Sequence, residues 1–152
     1  MGKSGEFMFL GNYNYTIDEK GRVTIPAKLR SDLGADFILT RGLDGCIALY
    51  PRKAWDVIIS KYKDLPNLQN TRNVLRFILS SASACNLDKQ GRLSISSSLL
   101  QFAGIQKECV IIGVDDCLEI WSKERWEGYL ESNEANLAEI ADELFSSNTL
   151  KD

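Results

Sequence analysis

Two stretches decide the reading of this chain: YTIDEKGRVTI, from Tyr15 to Ile25, and CNLDKQGRLSI, from Cys85 to Ile95. A shift of 70 positions lays one over the other. Each contains Asp-x-x-Gly-Arg, at Asp18 to Arg22 and at Asp88 to Arg92. The match widens to residues 14 to 34 against 84 to 104, where Ile25, Leu29 and Gly34 return as Ile95, Leu99 and Gly104. Ile17/Leu87, Val23/Leu93 and Thr24/Ser94 are conservative pairs. After a one-residue shift, CIALYPRKAW from Cys46 lies over CLEIWSKERW from Cys117, pairing Tyr50 with Trp121 and Trp55 with Trp126. Register kept at both ends of a unit marks an internal repeat.

Each unit reads in one order. Alternating Tyr13, Tyr15 and Ile17 lead through a Gly-containing turn to Val23 and Ile25, a hairpin signal. Pro26 suits the first turn of a helix carrying Leu29 and Leu33, and Gly34 its C-terminal end. Apolar strands follow near 37–41 and 46–50, and Pro51 opens a helix with Trp55, Ile58, Ile59 and Tyr62 at helical spacing. The second unit repeats this with strands near 84–88, 92–95, 109–113 and 117–121 and a helix from about Ser122. Four short strands bury little alone, so the two units are expected to merge into one barrel or sandwich with a pseudo-two-fold axis. The expected class is α+β, mainly β, with flanking helices.

The expected organisation is an expression scar over 1–7, a first repeat over 8–63 and a connecting segment with a helix over 64–82. A second repeat over 83–130 and an acidic C-terminal helix and tail over 131–152 complete it. The native start is then Met8. Thr71 is placed to N-cap the connecting helix, whose Val74, Leu75, Ile78 and Leu79 share a face. In the last helix Trp126, Leu130, Leu137, Ile140, Ala141 and Leu144 recur at three- and four-residue spacing. That face meets either the chain's own core or a neighbouring subunit.

Composition narrows the function. The 152 residues contain no histidine, which removes the commonest general base near neutral pH and the Ser-His and Cys-His mechanisms. Cys46, Cys85, Cys109 and Cys117 lack C-x-x-C spacing and read as reduced, mostly buried thiols, with no metal site and no cofactor expected. There is no apolar run of membrane-spanning length and no secretory signal, so a cytoplasmic location is expected. The formal net charge is −3, but nine acidic against three basic residues lie from Glu119 onward, so the rest of the chain is net basic.

The Asp-x-x-Gly-Arg motif has two readings. Structurally, Asp18 and Asp88 open turns, Gly21 and Gly91 supply positive φ, and each Arg pairs with its Asp. Functionally, Lys20, Arg22, Lys28 and Arg30 gather around the first hairpin and helix, and Lys89 and Arg92 around the second. A symmetric pair of basic loops suits double-stranded DNA, because Arg can take guanine O6 and N7 together while Lys holds phosphates. The two readings are compatible: Asp18, Gly21, Asp88 and Gly91 orient the arginines, and the cations meet DNA.

From Met8 to about Phe145 the chain resembles the MraZ family of bacterial transcriptional regulators. MFLGNYNYTIDEKGRVTIPAKLR, LTRGLDGCIALYP, LDKQGR and LEIWSKERW carry the resemblance. It implies tandem AbrB/SpoVT-type modules whose swapped hairpins build a barrel from both repeats, and ring-like homo-oligomers. It also implies nucleoid-associated binding to closely spaced repeats upstream of the division and cell-wall gene cluster. The family's D-x-x-x-R signature falls on Asp18 and Arg22 and on Asp88 and Arg92. One departure is that the I-P-x-x-L-R segment is kept as Ile25 to Arg30 but stands as Ile95, Ser96, Ser97, Ser98, Leu99 and Leu100 in the second half.

The alternative is an oligomeric assembly or protein-interaction module that does not bind DNA; retention on heparin or duplex DNA at low salt separates the two. A carboxylate-pair enzyme using Asp18 and Asp88 is disfavoured, because an Arg four positions on keeps each Asp ionised. No catalytic residues, small-molecule substrate or membrane contact are expected.

Overall fold

The computed structural model describes residues 8–151, with side chains described to residue 146. Residues 1–7, read above as a scar, lie outside the described residues. Strands β1 (Asn12–Thr16) and β2 (Arg22–Thr24) flank the first Gly turn. Helix α1 (Ala27–Leu33), strands β3 (Phe37–Arg41) and β4 (Ile47–Pro51) and helix α2 (Arg52–Lys63) follow. After α3 (Gln69–Ser81) the order returns as β5 (Ser83–Cys85), β6 (Arg92–Ser94), α4 (Ser97–Ala103), β7 (Glu108–Gly113), β8 (Leu118–Ser122) and α5 (Lys123–Asn133). A 3-10 turn, Glu134–Asn136, leads into α6 (Leu137–Lys151).

The strands form a six-stranded sheet in the order β1-β7-β8-β4-β3-β5 and a two-stranded sheet of β2 and β6. Exchanging the repeats reverses the first order onto itself, which is the pseudo-two-fold symmetry expected of merged units. The first strand of each repeat pairs with the third strand of the other: Tyr13 lies opposite Ile111 in one half and Phe37 opposite Cys85 in the other.

The strands flanking each Gly turn do not form a local ladder, contrary to the hairpin signal in the sequence. The turn is closed by the Asp18 N–H donating to the Arg22 carbonyl at 2.9 Å, after which the two arms separate and pair across the repeats. The reason is burial. A lone two-stranded hairpin is marginal in water, whereas pairing β2 with β6 leaves Val23 and Leu93 with 0% exposure. They join one core with Ile25, Ile95, Leu29, Leu99, Ile47, Leu49, Ile111, Leu118 and Ile120.

The Pro-to-Ser departure leaves the helix start intact. Pro26 precedes α1 with φ −51°, already suited to helix entry, while the Ser96 side chain accepts from the Leu99 N–H at 3.2 Å and caps α4. The aromatic pairs of the repeat are also matched in space, with ring centroids 5.8 Å apart for Tyr50 and Trp55 and 5.3 Å for Trp121 and Trp126.

Two helices differ from expectation. Helix α3 begins at Gln69 with Leu68 as its unassisted N-cap, so Thr71 lies inside it. Only Ile78 of its apolar face is buried, because β3 grips that side: the Thr40 hydroxyl donates to the Ile78 carbonyl at 2.7 Å, and Arg41 Nη2 to the Phe77 carbonyl at 2.6 Å. The terminal helix breaks at the 3-10 turn, and neither α5 nor the described part of α6 has a buried residue. Trp126 packs against the buried Cys46, Val110, Ile112 and Trp121, as the core reading expects, but Leu130, Leu137, Ile140 and Leu144 are exposed, so beyond Trp126 that reading is overturned. The core is already closed by α1, α4 and the two sheets.

Cys46, Cys109 and Cys117 are buried and Cys85 is half-buried, all as free thiols. Burial pushes Cys46 up to about 12 and Cys109 up to about 11, so these thiols are poor nucleophiles near neutral pH. No helix among the described residues is long and apolar enough to cross a membrane.

Candidate nucleic-acid interface

The Asp-x-x-Gly-Arg loops are built alike to within a tenth of an ångström. Asp18 Oδ1 accepts from the N–H groups of Lys20 and Arg22, both at 2.9 Å, and its Oδ2 accepts from Arg22 Nε at 2.8 Å. Asp88 Oδ1 accepts from Gln90 and Arg92 N–H, both at 2.9 Å, and its Oδ2 from Arg92 Nε at 2.7 Å. This spacing works because one short carboxylate reaches the backbone two and four residues on while Gly21 and Gly91 take φ of +76° and +77°. Asp18 and Asp88 are held below the usual carboxylate range, chiefly by the backbone N–H of Arg22 and Arg92, against a partial desolvation cost. Each carboxylate engages Nε of its arginine, which leaves the outer edge of the Arg22 guanidinium for other acceptors, while Nη2 of Arg92 is shared with the Gln90 side chain.

The swap brings the two loops together. Each glycine carbonyl holds the other repeat's strand, Gly91 accepting from Ile25 N–H and Gly21 from Ile95 N–H, both at 2.9 Å. In the β2–β6 ladder Arg22 lies opposite Ser94 and Thr24 opposite Arg92. Directly opposed residues share a face, so Arg22, Thr24, Arg92 and Ser94 occupy the face away from Val23 and Leu93. Arg22 and Arg92 are then diagonal neighbours, with Cα atoms about 7–8 Å apart by ordinary sheet geometry. Their side chains are 26% and 29% exposed, enough for the tips to reach a ligand while the stems stay ordered.

Of the other cations read from the sequence, Lys20 and Lys89 sit exposed on the two turns. Arg30 belongs to the first repeat but covers the second loop: Nε donates to the Ile25 carbonyl at 2.9 Å, and a Cβ at Gly91 would collide with its guanidinium. At the matching place over Gly21 stands Leu100. Lys28 is drawn aside, its Nζ 5.1 Å from the centre of the Tyr13 ring. The structure thus unites Arg22, Arg92 and Arg30 with Asp18, Asp88, Gly21 and Gly91, places Lys20 and Lys89 on the turns, and leaves Lys28 tied to β1.

Sequence reasoning missed Gln90, whose side-chain carbonyl accepts from Arg92 Nη2 at 2.8 Å and restrains the second arginine further. It also missed Thr24 and Ser94 beside the arginines. Strand alternation could have found these two, since each lies two residues after an Arg.

The family model of the MraZ protein, described as antitoxin-like, matches this chain twice in tandem, over residues 8–77 and 78–148. Together the matches cover nearly the whole chain. The chain belongs to the MraZ family. It is 47% identical over 138 residues to the transcriptional regulator MraZ of Natranaerobius thermophilus, covering 90% of this chain and 96% of that one. With the protein of the same name from Halothermothrix orenii it shares 49% identity over 135 residues, 88% of this chain and 94% of the relative. With that of Ligilactobacillus salivarius it shares 44% over 138 residues, 90% and 96% of the two chains. In this MraZ chain each matched repeat contributes one Asp-held arginine to the shared ladder.

Proposed function

We propose that this chain regulates transcription by binding double-stranded DNA through the face of the β2–β6 ladder, in the cytoplasm and at the nucleoid. The observation that carries the reading is the diagonal pair Arg22 and Arg92, each fixed at Nε by its own aspartate. A guanidinium restrained in this way has lost most of its rotamer freedom before binding, so less ordering cost remains when its outer edge meets guanine O6 and N7. Lys20 and Lys89 flank the pair at the turn positions where phosphates would run, and Arg30 adds a cation on one side only. Such contacts make affinity salt dependent through counterion release.

One copy offers few cations on a chain of net charge −3, so useful affinity comes from several copies acting on closely spaced repeats. The target suggested by the family resemblance is the promoter of the division and cell-wall gene cluster. Selection of bound duplexes from a random pool tests the proposal. Enrichment of a short repeated sequence by the parent protein, lost with Arg22→Ala and Arg92→Ala together, is the expected result. No enrichment over bulk DNA would favour the assembly-module reading instead.

A further inference from the structure

The serine run Ser96, Ser97 and Ser98, which breaks the second half's copy of the Ile-Pro segment, borders a hollow of about 590 Å³ between α3, β3, β5, β6 and α4. Hydroxyls of Ser80, Ser81, Ser83, Ser94, Ser96 and Ser98 line it, beside an apolar patch of Leu39, Leu99 and Phe102. Among the described residues Arg41 is the one charged side chain on its wall. That guanidinium lies 4.2 Å from the centre of the Phe77 ring and 5.8 Å from that of Phe102, and its Nη2 also donates to Ser80 Oγ at 2.8 Å. Among the described residues it pairs with no carboxylate, and its Nε is buried without a hydrogen-bond partner. Buried polar groups are seldom left unmatched, and a fixed cation with a spare donor favours an anionic acceptor.

The first repeat is built differently at the same places. Thr24, Pro26, Lys28 and Tyr13 stand where the second has Ser94, Ser96, Ser98 and Ser83, and Lys28 Nζ lies 5.1 Å from the centre of the Tyr13 ring. The sheet register matches Arg41 with Gly113, against which Phe9 and Leu10 pack closely. Capping of α4 accounts for Ser96 but not for the other hydroxyls. We infer that the hollow binds a small phosphate monoester of a polyol, with the phosphate on Arg41 and serine hydroxyls around the polyol. The terminal oxygens of a phosphate spread tetrahedrally and accept from several walls at once, as Arg41 on β3 and hydroxyls on α3, β5 and α4 allow. Serine hydroxyls both donate and accept, which suits the hydroxyls of a polyol. The volume lies within the roughly 300–1,000 Å³ usual for small-molecule sites. The hollow shares Ser94 with the β2–β6 ladder, so it lies beside the proposed DNA face without using the arginines of that face.

Calorimetric titration of the full chain with glycerol phosphate, in the absence of DNA, tests this, with glycerol and inorganic phosphate titrated alongside. Saturable binding of glycerol phosphate is expected, tighter than that of inorganic phosphate, with none for glycerol. Hydrogen exchange is expected to slow in the peptides holding Ser83 and Ser98 and not in the peptide holding Lys20 and Arg22. Ser98→Glu places a carboxylate at the rim, at the second residue of α4, where a helix N-terminus favours it. It is expected to fold and to weaken binding about tenfold or more, by setting like charge against the phosphate. Arg41→Gln should weaken binding as much; if loss of the Phe77 contacts unfolds it, Ser98→Glu carries the test. No saturable binding, glycerol or inorganic phosphate bound as tightly as glycerol phosphate, unchanged affinity in Ser98→Glu, or slowing confined to the Lys20 turn would each overturn the inference. Slowing at Ser83 and Ser98 caused by a DNA duplex but not by glycerol phosphate would also overturn it, and would assign the hollow to a DNA phosphate. The duplex selection described above decides the DNA reading separately.

Discussion

Arg30 rests its guanidinium against Gly91 of the opposite repeat, while the matching residue Leu100 covers Gly21. The two loops are alike in backbone yet differ in what seals them. Any side chain at Gly91 must take positive φ and also displace Arg30. Gly91→Ala is therefore expected to destabilise the protein by roughly 1–2 kcal/mol from the left-handed conformation alone, plus the cost of moving the guanidinium. In an Arg30→Ala background the same change should cost less, because the obstruction is gone. Denaturant titration of the four proteins of this cycle gives the coupling, and strict additivity would show that Arg30 does not seal the loop.

Arg22→Ala is expected to lose roughly 1–3 kcal/mol on a cognate duplex and to relax preference at one base pair. Lys28→Ala, whose side chain sits over Tyr13, should weaken cognate and scrambled duplexes about equally and by less. Titrations of both variants on both duplexes decide this. Equal losses for Arg22→Ala on the two duplexes would mean that it holds phosphate and reads no base.

Acid should release the arginines late. The folded-state values of Asp18 and Asp88 are depressed, so the stabilisation they lend the loops is complete above the ordinary aspartate value. It fades only as pH falls through the lower, folded value. Loop-dependent DNA affinity at constant ionic strength is thus expected to be flat from about pH 8 to about pH 5. The chain has no histidine, the side chain that ordinarily titrates there, and the one carboxylate that burial pushes up among the described residues, Glu119, lies on β8, outside these loops. A step near pH 6 would indicate a titrating group outside these loops.

Repeat spacing should matter as much as repeat sequence. Two repeats in helical phase are expected to bind ~10² to 10⁴ more tightly than one, through linkage of identical sites. Inserting roughly 5 base pairs between them turns the second repeat to the opposite side of the duplex and should remove most of that gain. The comparison is one repeat, two phased and two dephased, at fixed salt. Equal affinity for all three would mean that single modules suffice.

Leu93 lies with 0% exposure under the β2–β6 ladder. Leu93→Ala should cost about 2–5 kcal/mol of folding stability, through lost transfer energy and the cavity left behind. Because Leu93 faces Val23 across the swap, both repeats should unfold in one transition. Two separate calorimetric transitions would contradict a shared core.

Much of this was readable along the chain. The doubled Asp-x-x-Gly-Arg, the order of strands and helices, and the inward residues Ile25, Leu29, Ile95 and Leu99 all follow from local rules. Alternation selects a sheet face, glycine accepts positive φ, and a short carboxylate caps its own turn. Those rules act over a few residues, so one sequence suffices to apply them. Pairing partners are different. Whether β2 joins β1 or β6 depends on which arrangement buries Val23 and Leu93, a comparison of contacts between residues 70 positions apart. The family resemblance implied swapped hairpins, but only the tertiary structure decided which strands pair and in what register, that Arg30 serves the second loop, and that Arg22 and Arg92 stand side by side. The same holds for the terminal helix: helical spacing showed that it has an apolar face, but only the closed core could show that beyond Trp126 this face is left uncovered.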